Sequence, residues 1–274
     1  VLILTGLAIE HNRSNPMLMT RWLGSGTMIR LALAVTLIRM VTSEQSTGAV
    51  GFMQNLNMGY EQLHSLYVVM LIGSIAGLAT SALTIDPKHL LMPLIISLAL
   101  MATGSVMDSF SNNLTRPENM YFSQFLLAFG STFFLGPTMV FGTRNVLTNP
   151  RNLVSFSVLF GICNNLGGLL GAALLGTFQI VRGKYHSSHI VDHLVMSDPL
   201  VAARVQSGGS AFGGLLADPS LRNLAGIRSL ANAATREANV LAYNDVFMLI
   251  AVIAVLTMIW LSIRALWLMS TTKA

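Results

Sequence analysis

The sequence predicts an all-α membrane protein, a six-helix bundle preceded by the end of another helix. Three observations lead there. Only 10% of residues are charged, against about 25% in ordinary soluble domains. Hydrophobic residues make up 53%, with 16 methionines, and the mean hydropathy is +0.64. Apolar runs near the roughly 20 residues that a spanning helix needs recur along the chain. A soluble helical protein can bury one or two such helices in its core, but not six. The opening residues Val1–Ala8 are apolar yet too few to cross, so they read as the end of a preceding helix.

The elements follow in order. Residues 1–22 form that helix end and an inner linker, and 23–181 form five crossings. The first runs from about Leu23 to Val50 and carries Arg30, Arg39 and Glu44. The second covers Leu63–Leu83, the third His89–Met107, the fourth Phe122–Phe141 and the fifth Val154–Val181. Short connections make them antiparallel neighbours. Gly73 and Gly77 lie four apart in the second crossing, and Gly167 and Gly171 in the fifth, beside Gly168. Small residues at that spacing let helices approach closely in lipid.

Residues 182–241 differ. They hold six basic and four acidic residues, and glycines cluster at Gly208, Gly209, Gly213 and Gly214. Asp218-Pro219-Ser220 suits a helix start, because Asp caps and Pro fits the first turn. This segment reads as one or two helices outside the hydrocarbon, leading to the last crossing from Ala242 to Trp267 and an inner tail, within residues 242–274.

The balance of 16 Lys and Arg against 11 Asp and Glu does not point to nucleic acid. The basic residues flank apolar runs and form no patch interleaved with aromatics. Flanking charges set orientation. Placing Arg13, Arg21, Lys88, Arg144, Arg151, Arg264 and Lys273 inside satisfies every short loop and puts the C-terminus inside. The single Cys163 allows neither an intrachain disulfide nor an all-cysteine metal site, and no removable signal peptide is suggested.

Several polar residues are candidates for function. Arg30 and Arg39 lie on opposite faces of one helix, about 13 Å apart in rise. Each either faces a water-filled cavity or serves as an ion pair or interfacial anchor, with Glu44 near Arg39. Asn164 and Asn165 either line a transport route or bind adjacent helices. Asp108 and Asp245 could each exchange protons. The simpler readings are a hydrated terminal carboxylate for Asp108 and a helix cap for Asp245. His186, His189 and His193 share a helix face, where zinc ligation competes with a plain polar outer helix; the latter is preferred, and no metal or organic cofactor is expected. Nothing resembles a catalytic triad or a His-Glu-x-x-His zinc element.

Three stretches carry a resemblance: Asn15-Pro16-Met17-Leu18, Gly161–Gly176, and Leu241-Ala242-Tyr243-Asn244-Asp245-Val246-Phe247. They resemble the C-terminal half of the fourteen-helix drug:proton antiporters of the major facilitator superfamily, especially inner-membrane pumps of bacterial tripartite efflux systems. The chain departs from that pattern at Gly161 and Asn164, where relatives carry Asn and Arg, and at Thr84-Ile85-Asp86-Pro87-Lys88, where they carry a Gly-Asp-Arg type motif. The resemblance implies a six-helix C-terminal major-facilitator-type bundle in the bacterial inner membrane, with its C-terminus in the cytoplasm. It also implies a separate N-terminal bundle as partner, a proton gradient as energy source and amphipathic small molecules as cargo. A periplasmic adaptor and an outer-membrane channel would be further partners. The alternative is a truncated, non-transporting membrane scaffold.

Overall fold

In the computed structural model, residues 5, 9–13, 16–86, 90–147 and 152–271 are described. The expectations for Val1–Ala8 (Thr5 apart), Asn15, Pro87-Lys88-His89, Arg151 and Lys273 fall outside them. The described residues are all-helical and contain no strand. The helices are α1 (Thr20–Leu23), α2 (Gly26–Thr42), α3 (Val50–Asn55), α4 (His64–Thr84) and α5 (Leu91–Asp108), then α6 (Tyr121–Phe133), α7 (Leu135–Leu147), α8 (Asn152–Asp192), α9 (Pro199–Ser210) and α10 (Pro219–Thr271). A π-helical stretch, Glu44–Ala49, joins α2 to α3, and a 3-10 turn, Pro117–Met120, leads into α6.

Six helical stretches are long and apolar enough to cross a membrane: Gly26–Asn55, His64–Thr84, Leu91–Asp108, Pro117–Arg144, Asn152–Asp192 and Pro219–Trp267. Their faces support a lipid environment. In α4, the buried residues are Leu66, Gly73, Gly77 and Ser81, while Leu71, Ile72, Ile75 and Leu78 are exposed. Likewise α8 exposes Leu166, Leu169, Leu170 and Leu174 and buries Gly167 and Gly171. In water this would expose a continuous apolar patch, whereas in lipid large side chains outside and small ones between helices are the stable arrangement. The chain is therefore a membrane protein with six candidate crossings.

The glycines set the interhelical spacing. An ideal Cβ on Gly73 would sit 2.9 Å from the Phe125 carbonyl oxygen, and one on Gly77 would overlap the Phe129 carbonyl. The Thr132 hydroxyl also donates to the Ser74 carbonyl at 2.9 Å, and Ser81 to that of Phe133 at 2.9 Å. On the other side of the bundle, a Cβ on Gly167 would lie 2.7 Å from the Thr36 carbonyl oxygen, and one on Gly171 2.9 Å from the Met40 Cα. Gly168 is looser, 3.9 Å from an Arg39 guanidinium nitrogen. Between these seams sits the central apolar cluster, which includes Ile38, Leu98, Met101, Phe134, Val246 and Ile250.

The helices run beyond the bounds expected from the sequence. The first crossing continues through the π-helical stretch to Asn55. The sequence Glu-Gln-Ser-Thr-Gly-Ala supplies several weak helix formers, and the Ser43 and Thr42 hydroxyls bond to the Arg39 carbonyl at 3.3 and 2.8 Å, a pattern that loosens an α-turn. The fifth helix extends past Val181 to Asp192, and the last begins at Pro219 instead of Ala242. Asp218 accepts a hydrogen bond from the Ser220 amide at 2.8 Å and so starts α10. At about 1.5 Å per residue, the 53 residues of α10 extend well beyond a hydrocarbon layer about 30 Å thick. Its N-terminal half, α9 and the end of α8 form a helical arm. Close approach of Gly209 and Gly226 packs α9 onto α10.

The α4–α6 seam yields a direct test. Gly77→Ala should cost about 1–3 kcal/mol, the usual range for overpacking, because its methyl meets backbone. Gly176→Ala, with nothing within 4 Å of its Cβ, should leave thermal unfolding in detergent unchanged. Equal melting temperatures for both variants would contradict this packing.

Candidate functional site

The most unusual chemistry lies inside the bundle, towards the end that bears the arm. Glu44 and Gln124 are 0% exposed and Asp108 is 2% exposed. Each comes from a different element: Glu44 opens the π-helical stretch, Asp108 ends α5, and Gln124 lies in the first turn of α6. Gln124 Nε2 donates to Glu44 Oε1 and Oε2, both at 3.1 Å, and to Asp108 Oδ2 at 2.8 Å. One amide group thus bridges two carboxyls, which also lie within hydrogen-bonding reach of each other. Ser123 Oγ completes the group, hydrogen-bonded to Asp108 Oδ1 and placed 3.0 Å from the Met120 carbonyl. Among the described residues no basic side chain pairs with either carboxyl.

Helix geometry explains the assembly. Five residues separate Glu44 from Arg39, a rotation of about 140° around the axis, so the two side chains diverge. An ion pair of Arg39 with Glu44, one of the alternatives open to Arg39, is not among the ion pairs of the described residues. Gly48 makes room for the pair's neighbours: a Cβ there would come 2.9 Å from Phe247 and 3.3 Å from the Glu44 side chain. Gly104 brings α5 against α6, its virtual Cβ 2.8 Å from the Ser123 carbonyl oxygen. The reading of Asp108 as a hydrated terminal carboxylate is overturned, because α6 covers the end of α5 and buries it.

A pocket of about 380 Å³ reaches this group from the arm end. It is lined by Asp108 and Ser123 together with the loop from Phe110 to Asn119. That loop is tied to α10: the Asn244 side-chain amide donates to the Ser111 carbonyl at 2.8 Å, and Asn113 donates to Glu237. Two further buried polar atoms lack partners beside the pair, Gln124 Oε1 and Ser105 Oγ, the latter one turn before Asp108.

The other candidates lie elsewhere. Arg30 is exposed, one turn into α2, and folds back over Gly26, 3.3 Å from its virtual Cβ. Arg39 is half-buried against Gly167 and Gly168 of α8, and its Nε has no partner. On the same helix, Asn164 is half-buried and Asn165 exposed. Asp245 is interior to α10, so it caps no helix start. Its Oδ2 accepts from Arg182 Nε and from His186 Nε2, both at 2.6 Å, joining α8 to α10. His189 instead stacks edge-on with Tyr185, centroids 4.5 Å apart. Among the described residues no group of three or more His, Cys, Asp or Glu side chains could hold a metal.

Sequence reasoning named Asp108 but missed Gln124 and Ser123, and took Glu44 only as a neighbour of Arg39. The available signal was the Ser123-Gln124 pair in an otherwise apolar first turn, at the same end of the bundle as Asp108. No protein-family model, curated protein or solved structure matches the chain.

The bridge yields a stability test. Gln124→Leu removes the common donor and should destabilise the protein by about 1–3 kcal/mol, the cost of stranding buried acceptors. The deficit should narrow on acidification, because protonated carboxyls supply donors of their own. Thermal melting in detergent at acid and alkaline pH checks this; an identical deficit at both would contradict the bridge.

Proposed function

We propose that this bundle is one half of a proton-coupled exporter of amphipathic organic compounds. The observation that carries the reading is the buried Glu44–Asp108 pair. Charged carboxyls inside a membrane bundle are costly and typically mark ion pathways. Here they have no cationic partner among the described residues, so no structural ion pair explains them, and the exchangeable neutralising species is a proton.

The six crossings and the resemblance to drug:proton antiporters supply the rest of the proposal. A second six-helix bundle, the N-terminal half, closes the transport route, and the two rock about a site between them. Arg39, Asn164 and Asn165 supply polar contacts on the cargo side. Loss or gain of the proton on the pair shifts the balance between inward-open and outward-open forms. In this proposal the membrane is the bacterial inner membrane, the C-terminus is cytoplasmic, and the arm faces the periplasm, towards an adaptor and an outer-membrane channel. Cargo is moved unchanged, so no catalytic chemistry is assigned.

Everted vesicles containing the protein with its N-terminal bundle test the proposal. An imposed proton gradient should drive uptake of ethidium, a fluorescent amphipathic cation, and ethidium should in turn dissipate the gradient. Glu44→Gln with Asp108→Asn should abolish both effects while leaving the protein in the membrane. Undiminished gradient-driven transport by that variant would refute the assignment of the pair, and no transport by the intact protein would favour a scaffold.

A further inference from the structure

The pair and its pocket together define a direction. We propose that protons reach the buried pair from the arm end, through the pocket beneath the loop from Phe110 to Asn119, by way of Asp108 with Ser123 as its positioning residue. This deepens the reading above, since it assigns an access route to the same carboxyls.

The geometry makes the two acids unequal. Asp108 and Ser123 line the pocket, whereas Glu44 does not. Glu44 is enclosed by Gln124, Asp108 and the side chain of Phe247 across Gly48. A proton arriving in pocket water therefore meets Asp108 first. It adds to a carboxylate oxygen of Asp108, and the Asp108 O–H can then pass it to a Glu44 carboxylate oxygen. That transfer forms one O–H bond, breaks another and restores Asp108 as a carboxylate.

The polar neighbours suit both protonation states. Ser123 Oγ lies between Asp108 Oδ1 and the Met120 carbonyl. With Asp108 ionised, the hydroxyl donates to it. With Asp108 protonated, the same oxygen accepts while its proton turns to Met120, as hydroxyls can serve either way. Gln124 presents its donor to the carboxyls and leaves Oε1 without a partner. A turn of this amide would offer that acceptor to a protonated acid. Ser105 Oγ, also 0% exposed and unpartnered, lies one turn before Asp108.

The surrounding groups leave this route uncontested. From the π-helical stretch, α5 and α6 the titratable groups are Glu44, Asp108 and Tyr121, and Tyr121 does not line the pocket. From α10 the neighbours are Phe247 and Tyr243, which pack over Gly48 and Gly51, while Glu237 is engaged by Asn113 at the loop. Arg116 caps the loop's 3-10 turn and Glu118 lies within it, and neither lines the pocket.

The test reads protonation directly, so it succeeds or fails independently of transport. In uniformly oriented proteoliposomes, acidification of one side is followed by the infrared carboxylic-acid C=O signal that is lost in Glu44→Gln with Asp108→Asn. Acid on the arm side should raise this signal promptly, and acid on the opposite side only after the slower change to the other access form. An Asn119→Cys variant, in a Cys163→Ser background and carrying a bulky impermeant thiol adduct, should slow the rise several-fold. Ser123→Ala should slow it, and Ser123→Thr should restore the rate. A signal that rises as promptly from the opposite side, or is indifferent to the adduct, would overturn the route. Sodium at fixed pH should leave the signal unchanged, and its suppression would overturn the proton as ligand. A one-sided protonation signal without ethidium transport would retain the route and reject the exporter.

Discussion

Two carboxyl groups share one amide donor in the interior of an apolar bundle, and the surrounding structure is arranged to keep them there. Burying charge without a counter-charge is among the largest penalties a membrane protein can incur. The bundle limits it through a few hydrogen bonds from Gln124 and Ser123. Those bonds require three elements to meet at the depth of Glu44, Asp108 and Gln124. The π-helical stretch Glu44–Ala49 and the glycines at 48 and 104 allow that approach. Apolar packing sets the closeness of the helices, and the carboxyl pair determines what that closeness is used for.

The arm follows a different logic. At the base of the arm, polar contacts between α8 and α10 join the apolar ones. Asp245 accepts from Arg182 and His186, and Gln179 donates to Asn239 at 3.3 Å. These contacts help explain why both helices outrun their apolar stretches. Glycine contacts then fold α9 against the start of α10. The loop at the mouth of the pocket bonds to α10 near residues 237 and 244, so the arm's base and the pocket rim form one connected surface.

Much of the fold was legible because hydrophobic runs of membrane length have few other uses, and because repeated glycines within them lie at helix contacts. Helix ends were less legible. The sequence marks where hydrocarbon ends, at Val181 and Ala242, but a helix continues as long as its backbone bonds are satisfied, and neither point carries a breaker. The polar site was only partly visible. Asp108 sits at the end of an apolar run, where solvent is the ordinary neighbour, and only the packing of α6 across it reveals burial. Glu44 was masked by Arg39, whose proximity in sequence suggested a pair that helical rotation forbids. Asp245 looked like a cap because the apolar run starts at the next residue, although the helix itself begins far upstream.

The central claim is that Glu44 and Asp108 form a single proton-binding unit under Gln124. Counting the protons taken up by purified protein on acidification, with a pH indicator in lightly buffered detergent solution, tests it most directly. The account expects Glu44→Gln, Asp108→Asn and the double variant all to take up fewer protons than the native chain, with each single substitution also shifting the pH at which the remaining acid titrates. Uptake identical in the native chain and the double variant, or two acids titrating independently of each other, would contradict it.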